Sequence, residues 1–569
     1  MSSNHSTSTS KSSPIILGIA DNHDAGAALW IDGKIVAAIN QERIDRIKNS
    51  GFFPMGAIDA VLEEANCKAR DIDRVVVGTA FTPSAFLRLL PNVHHSQKKS
   101  GQFSPLLHAY LYYQTLLQQG GLEHVEYRLS KKIIERKLSS ITHAPVTLID
   151  HHESHAQLAY RTQEQQRILV LTLDAMGDGN TATVWMGRDG TLIPLWKQSG
   201  LAAINLFYSR ITEILGFVPL RHEGKITGLA ALAKPNKSLL AHFRSRYRFA
   251  GGRFSRIFPW PIDHPEDDYW TQVKKYPREV IAATAQAILE EVTTSFVLHW
   301  VKTTKCSSIA LAGGVFANVK LNQRLMDHAN IEQIWIAPNM GDGGLAVGGL
   351  LAYCQPPPRQ MTDVFLGNSL QKIDINRAIS RSHISAIRTE IIPKIAELLS
   401  QNKYVAICRG RMEWGPRALG NRSIFALATD ANCNDKLNVK LHRSEFMPFA
   451  PIVRSEDRDR FFIGLSKANY ACRFMTVCCD VTKEFKKIAP AATHVDGTAR
   501  PQIVYQQQDP WLHELLTYLH VHYDISILIN TSFNIHEEPI VSTPDQAVRA
   551  FQQAQLDALL LEDALLIRM

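Results

Sequence analysis

One pattern occurs twice in this chain, and it limits the fold more than any other feature. Ile15 to Ala20 (IILGIA) reads as a strand. An acidic loop, a second strand from Ala27 to Ile31, the turn Asp32-Gly33 and a third strand from Lys34 to Ile39 follow it. Ile168 to Asp174, a Gly/Asp loop, Thr181 to Met186, the turn Asp189-Gly190 and Thr191 to Trp196 repeat the same order. Asp-Gly between β-branched apolar runs is a strong hairpin signal. Repetition of the whole unit predicts two related α/β lobes, each opening with a β-meander whose first loop faces a shared cleft.

The second lobe is preceded by His151-His152-Glu153-Ser154-His155, with Asp150 ahead of it. On a helix, His151 and His155 project from one face and can hold one divalent ion. Taken alone, such a pair is more often a solvated histidine face. The strand Arg167 to Asp174, however, delivers Asp174 into the loop Gly177-Asp178-Gly179, and Pro338 to Gly344 presents Asp342 between glycines. Two imidazoles and two carboxylates make a mixed N/O site suited to iron(II), manganese or zinc, with Asp178 an alternative to Asp174.

Elsewhere the chain alternates insertions with phosphate-type loops. Residues from about 81 to 138 read as a largely helical insertion, with a basic run at His94 to Lys99 and aromatics at His108 to Tyr113. It either packs those aromatics or walls a substrate site. A helical pattern over Ala282 to Trp300 leads into a strand, Ser308 to Leu311, and then Gly313-Gly314, whose bare backbone suits close approach to phosphate or adenosine. Pro356-Pro357-Pro358-Arg359 predicts a stiff linker at 356–360, dividing the chain into domains 14–355 and 361–569. The second of these holds Arg409, Arg411, Arg417 and Arg422 among glycines, a composition that clamps small oxyanions. His494 to Arg500 and Asn530 to Asn534 add further polar groups after strands.

Composition narrows the function. The net charge of +8 comes from 62 basic against 54 acidic residues, a near balance that disfavours nucleic acid and suits phosphorylated small molecules. The eight cysteines form no C-x-x-C pair and read as reduced thiols. Residues 1–13 lack an apolar core and are expected to be a disordered tail. No run of about 18 apolar residues occurs, so a cytoplasmic protein without membrane contact is expected.

Together these motifs resemble the NodU/CmcH-type O-carbamoyltransferase family of antibiotic and nodulation-factor enzymes. The resemblance rests on His23 to Ala28, Gln41 to Lys48, the H-x-x-x-H helix, Gly224 to Ala230, Gly313-Gly314 with Asn318, G-P-R-A-L-G-N-R-S, H-V-D-G-T-A-R and N-T-S-F-N. It implies a duplicated N-terminal domain of the actin, sugar-kinase and chaperone ATPase type (ASKHA) and a C-terminal YrdC-like α/β domain. It also implies that ATP and carbamoyl phosphate give carbamoyl adenylate, whose carbamoyl group passes to a hydroxyl of a small natural product or sugar. Carried over, His23 would be the general base, and His151, His155, Asp174 and Asp342 would hold Fe(2+) or another divalent metal. Lys48, Lys225, Gly314 and Asn318 would contact the adenylate. Arg417, Arg422, Arg443, Arg500, Asn530 and Ser532 would bind carbamoyl phosphate and nucleotide, and Asp21 the acceptor. Mg(2+) with the nucleotide and a homodimer are compatible with this assignment. The chain departs from the family pattern at Gln41 and Asn49, where glutamate and histidine are usual, at Met447, where arginine is usual, and in its A-M-G-D loop. A tRNA-modifying enzyme of the same two modules and a catalytically silent nucleotide-binding protein are the competing readings.

Overall fold

The computed structural model describes residues 13–90, 113, 116–117, 120–202, 204–255, 267–443 and 448–568. The N-terminal tail, the His94 to Lys99 run, most of the His108 to Tyr113 aromatics and Met447 lie outside them.

The duplication is present in the sheets. β1 (Ile16–Ala20), β2 (Gly26–Ile31), β3 (Lys34–Asn40), β4 (Arg74–Val77) and β5 (Val146–Leu148) form a sheet in the order β3-β2-β1-β4-β5. β6 (Arg167–Gly177), β7 (Asn180–Arg188), β8 (Thr191–Ser199), β9 (Ser308–Ala312) and β10 (Gln333–Ile336) form the second, ordered β8-β7-β6-β9-β10. In both, the first three strands are an antiparallel meander and the last two add in parallel to the first. This is an α/β fold of two like-ordered sheets, as the repeat predicts. β6 runs three residues further than expected, to Gly177, its register slipping after Leu173 so that only Asp178 and Gly179 turn.

The helices of the N-terminal domain include α1 (Met55–Glu64), α2 (His151–Arg161), α3 (Glu223–Ala230), α4 (Arg278–Thr304) and α5 (Leu345–Cys354). α2 and α5 each follow the last strand of a sheet and pack on each other. Their contact is backbone to backbone: a Cβ on Gly348 would lie 2.2 Å from the carbonyl oxygen of Ser154. α4 is long and apolar enough to cross a bilayer, but 67% of that stretch is buried inside the protein, where it packs on α3. Of the insertion, the helix Glu123–Leu138 is described; Ile134 and Leu138 sit in the core under the first sheet.

The C-terminal domain is built on an eight-stranded mixed sheet. Its strands are β11 (Ala386–Ile387), β12 (Val405–Cys408), β13 (Arg422–Leu427), β14 (Ala450–Arg454), β15 (Gln502–Val504), β16 (Leu528–Ser532), β17 (Ala558–Leu561) and β18 (Ala564–Ile567), in the order β11-β18-β17-β12-β13-β16-β14-β15. Helices Ile391–Ser400 and Pro510–Tyr523 cover one face and share its apolar core. The 356–360 segment is tied down, Arg359 N donating to Arg161 O at 3.1 Å and Met361 N to Thr162 O at 2.9 Å. Arginines stitch the two domains: Arg43 reaches Gly415 O at 2.9 Å, Arg46 reaches Ile540 O at 2.7 Å, and Arg411 reaches Val36 O at 2.9 Å.

Candidate active site

The start of α2 is fixed by two carboxylates. Asp150 caps the helix, accepting from Glu153 N at 2.9 Å. Asp178 accepts from His151 N at 2.9 Å and from Ala80 N and Phe81 N at 2.8 Å each. Asp178 is therefore a backbone clamp joining the two lobes, and Asp174 is the acid that faces the histidines. Packing requires the glycine of the A-M-G-D loop, since a Cβ on Gly177 would stand 2.1 Å from the His151 ring.

His151, His155, Asp174 and Asp342 are all buried, and one ligand atom from each lies within 4.8 Å of the others. His155 Nε2 is 3.1 Å from Asp174 Oδ2 and 3.5 Å from Asp342 Oδ1; His151 Nε2 is 3.8 and 3.6 Å from the same oxygens. None of the four ring nitrogens makes a well-aligned hydrogen bond with a described residue. Burial lowers the basicity of His151, but Asp342 and Asp174 outweigh it and carry the imidazole up to about 9. Against the upward pull of burial, His151 and His155 hold the Asp174 carboxyl well below its usual range. A buried group of two acids and two unsatisfied imidazoles calls for positive charge at its centre, and the donor set fits a divalent metal ion. His152 faces away, bonded to Thr172 Oγ1 at 2.7 Å and Asn180 O at 3.1 Å.

His23, at the end of β1, stands at the rim of this cluster. Its Nε2 lies 3.1 Å from Asp342 Oδ2 and its Nδ1 3.2 Å from Asp24 Oδ2. Asn22 also donates to Asp342 Oδ2, at 2.6 Å, and Asn49 donates to Asp24 Oδ1 at 2.5 Å. Asp24, Asn22 and Asn49 thus position the imidazole. Asp24 adjoins His23 in the quoted motif, but its role could not be read from spacing. The departure at Gln41 is structural: its Oε1 accepts from Ala57 N at 2.8 Å, a bond that glutamate would make equally well.

Two large cavities flank these residues. The first, about 410 Å³, runs from His23, Asp174 and Asp342 past Gly314 and Asn318 to Leu289. The second, about 340 Å³, lies against the C-terminal sheet and gathers Lys48, Lys225, Arg417, Arg443, Arg500, Asn530 and Ser532. Arg221, Gly224, Thr227, Ala317, Pro416 and Arg417 line both, so the two spaces adjoin at α3 and the 415–417 turn. Arg443 grips the end of β16, donating to Thr531 Oγ1 at 2.9 Å and Ser532 O at 2.8 Å. Burial pushes the Lys48 ammonium below its usual range, with Glu537 opposing that shift. Glu537 pairs with Arg221, and His222 Nε2 lies 3.3 Å from it, closing the cavity across the domain junction. No local motif marks this trio.

Two expected site residues stand elsewhere. Arg422 is fully buried and spends its guanidinium on the carbonyl oxygens of Arg409, Gly410, Asn421 and Asn368, holding the arginine-rich loop together from behind. Asp21 lies just past β1 and outside the lining of the His23 cavity. Its carboxylate is bound bidentately by Arg88, with N–O distances of 2.8 and 2.9 Å.

The family described as carbamoyltransferase N-terminus matches residues 15–351, and carbamoyltransferase C-terminus matches residues 396–568. The nodulation protein NolNO of Sinorhizobium fredii is 30% identical over 94% of this chain and 78% of its own length. Nodulation protein U of the same organism is 27% identical over 92% of this chain and 94% of its own. An uncharacterized protein of Methanocaldococcus jannaschii is 30% identical over 96% and 98%. Among solved structures, full-length HypF in its phosphate- and nucleotide-bound form matches 61% of this chain and 47% of its own, at 10% identity and a TM-score of 0.36.

Proposed function

The chain belongs to the carbamoyltransferase family, and on that premise we propose that it performs ATP-dependent O-carbamoylation as two half-reactions, one in each adjoining cavity. The observation that carries this reading is the shared wall at Arg221, Thr227, Pro416 and Arg417 between an arginine-lined cavity and one holding His23 and the metal cluster. An intermediate made in the first is released beside the second.

In this reading the 14–355 domain transfers and the YrdC-like 361–569 domain activates. Arg417, Arg500, Lys225 and Lys48 supply the positive field that binds carbamoyl phosphate and the triphosphate of ATP. Asn530, fixed by donating to Gln502 Oε1 at 2.7 Å, and Ser532 add polar contacts. Water cleaves carbamoyl phosphate to carbamate and phosphate; a carbamate oxygen then attacks the α-phosphorus of ATP and pyrophosphate leaves. The product is a mixed anhydride, so the carbamoyl carbon gains a good leaving group.

In the second cavity the acceptor hydroxyl attacks that carbon and AMP departs. Hydrogen bonding of Nδ1 to Asp24 orients the His23 ring, and Asp342, 3.1 Å from Nε2, stabilises the imidazolium formed when the ring takes the hydroxyl proton. The backbone of Gly314 and the amide of Asn318 in this cavity, with Lys48 and Lys225 of the adjoining one, would hold the adenylate. Bound by His151, His155, Asp174 and Asp342, an iron(II) ion would serve as a Lewis acid toward the adenylate phosphate. The acceptor is a small hydroxylated molecule and the enzyme is cytoplasmic; Mg(2+) accompanies the nucleotide.

Pyrophosphate release from ATP, with and without carbamoyl phosphate, tests the reading. Release that requires carbamoyl phosphate is expected, and release indifferent to it would overturn the activation step.

A further inference from the structure

Two guanidiniums stand on the wall that the cavities share: Arg417 from the C-terminal domain, and Arg221 from the turn ahead of α3 in the N-terminal domain. Among the described residues, the other side chains on that wall, such as Thr227 and Pro416, carry no charge. One phosphate is common to the two half-reactions. Carbamate attacks the α-phosphorus of ATP in the first, and in the second the same phosphate leaves within AMP.

Arg221 is held by one end. Its Nη2 pairs with Glu537 across the domain junction, while its buried Nε has no partner among the described residues. A guanidinium carries its donors in a rigid fork, so fixing one of them on a carboxylate fixes the direction of the rest. Glu537 is the one acid among the described residues lining the arginine-lined cavity, against six lysine and arginine side chains. Its backbone has φ 63°, a left-handed conformation that favours glycine. His222 completes the support. Burial and the charge of Lys225 lower its basicity and keep the ring neutral. Val218 N donates to its Nδ1 at 3.2 Å, so the hydrogen is on Nε2, which donates to Glu537 Oε1 at 3.3 Å. The two carboxylate oxygens are thus divided, Oε1 to His222 and Oε2 to Arg221. An acid in a phosphate-binding cavity weakens binding unless it orients a cation that the phosphate uses.

We propose that Arg221 is a further anion-binding residue of this reaction, taking with Arg417 the α-phosphate common to ATP and carbamoyl adenylate, and that Glu537 and His222 are positioning residues acting through it. The inference rests on the reading that the arginine-lined cavity makes the adenylate. One arginine from each domain then meets the phosphate where the two cavities adjoin, and charge-assisted N–H donors hold it in both half-reactions.

AMP carries that phosphate and adenosine lacks it, so the test compares their dissociation constants by calorimetry on the full-length protein. Arg221→Ala should weaken AMP about tenfold or more, the scale of a hydrogen bond to a charged group, and leave adenosine within about twofold. Glu537→Ala should weaken AMP as well, and Glu537→Gln, whose amide oxygen still accepts, should recover part of the loss. Because Glu537 acts through Arg221, Arg221→Ala/Glu537→Ala should bind AMP no worse than Arg221→Ala alone. Tighter AMP binding by Glu537→Ala would overturn the positioning role, leaving the acid a repulsive charge. Unchanged AMP binding by a folded Arg221→Ala, or an equal loss for adenosine, would overturn the phosphate assignment. The expected pattern in a wild-type protein that releases no pyrophosphate from ATP and carbamoyl phosphate would instead overturn the activation step on which the assignment rests.

Discussion

Nε2 of His23 lies 3.1 Å from Oδ2 of Asp342, while the other oxygen of the same carboxylate faces His151 and His155. One aspartate thus joins the metal cluster to the base, and Asn22 holds it from a third side at 2.6 Å. The arrangement predicts that metal content and base positioning are separable. His155→Ala should lose the bound metal, read by elemental analysis, whereas His23→Asn should keep it. Loss of metal in both would place His23 among the ligands.

Asn49 offers a finer test, because it donates to Asp24 Oδ1 at 2.5 Å and so acts on His23 through that carboxylate. Asn49→Ala should lower kcat for acceptor carbamoylation by up to about a hundredfold, the scale of one catalytic group misplaced by about 1 Å. Asn49→His should restore much of it. The pyrophosphate-releasing half-reaction should not change, and a parallel fall in both would mean that Asn49 serves the fold.

Gly177→Ala places a methyl where the His151 ring now stands, 2.1 Å away. Overpacking of this kind costs about 1–3 kcal/mol, and here the displaced group is a metal ligand. The variant should show a lowered melting temperature together with substoichiometric metal. Full metal occupancy would show that the loop yields more readily than the ring.

The pattern of strands, turns and the H-x-x-x-H helix was legible because it is local: a D-G turn or an i, i+4 histidine pair needs nothing beyond its own segment. Arg422 shows the limit. It sits in the same arginine-rich run as Arg417, and only the fold sends one guanidinium into the cavity and the other behind the loop onto four carbonyls. Asp21 fails for the same reason, two residues from His23 yet turned to Arg88. Glu537 with Arg221 was invisible, since one residue comes from each domain.

That difference between arginines is itself measurable. Arg422→Ala strands several buried carbonyl oxygens, each a loss of about 1–3 kcal/mol, and should cripple folding. Arg500→Ala should fold normally and lose activation. Equal thermal stability of the two variants would contradict the placement of Arg422.

His494 gives a pH signature. Burial lowers its basicity from 6.5 to about 4, so the folded protein holds it neutral. Its contribution is complete above pH 6.5 and is lost as the pH falls toward 4, where the unfolded chain binds a proton that the folded chain refuses. The loss approaches about 3 kcal/mol. Denaturation midpoints of wild type should fall across that window, and those of His494→Gln should fall less. Parallel profiles would show that other groups govern acid stability.

The central claim is that activation and transfer occupy different cavities. Rapid-quench mass spectrometry of His23→Asn and Arg500→Ala, each given ATP, carbamoyl phosphate and iron(II), tests it most directly. Carbamoyl adenylate should accumulate on His23→Asn and be absent from Arg500→Ala; adenylate formed normally by Arg500→Ala, or absent from a folded His23→Asn, would contradict it.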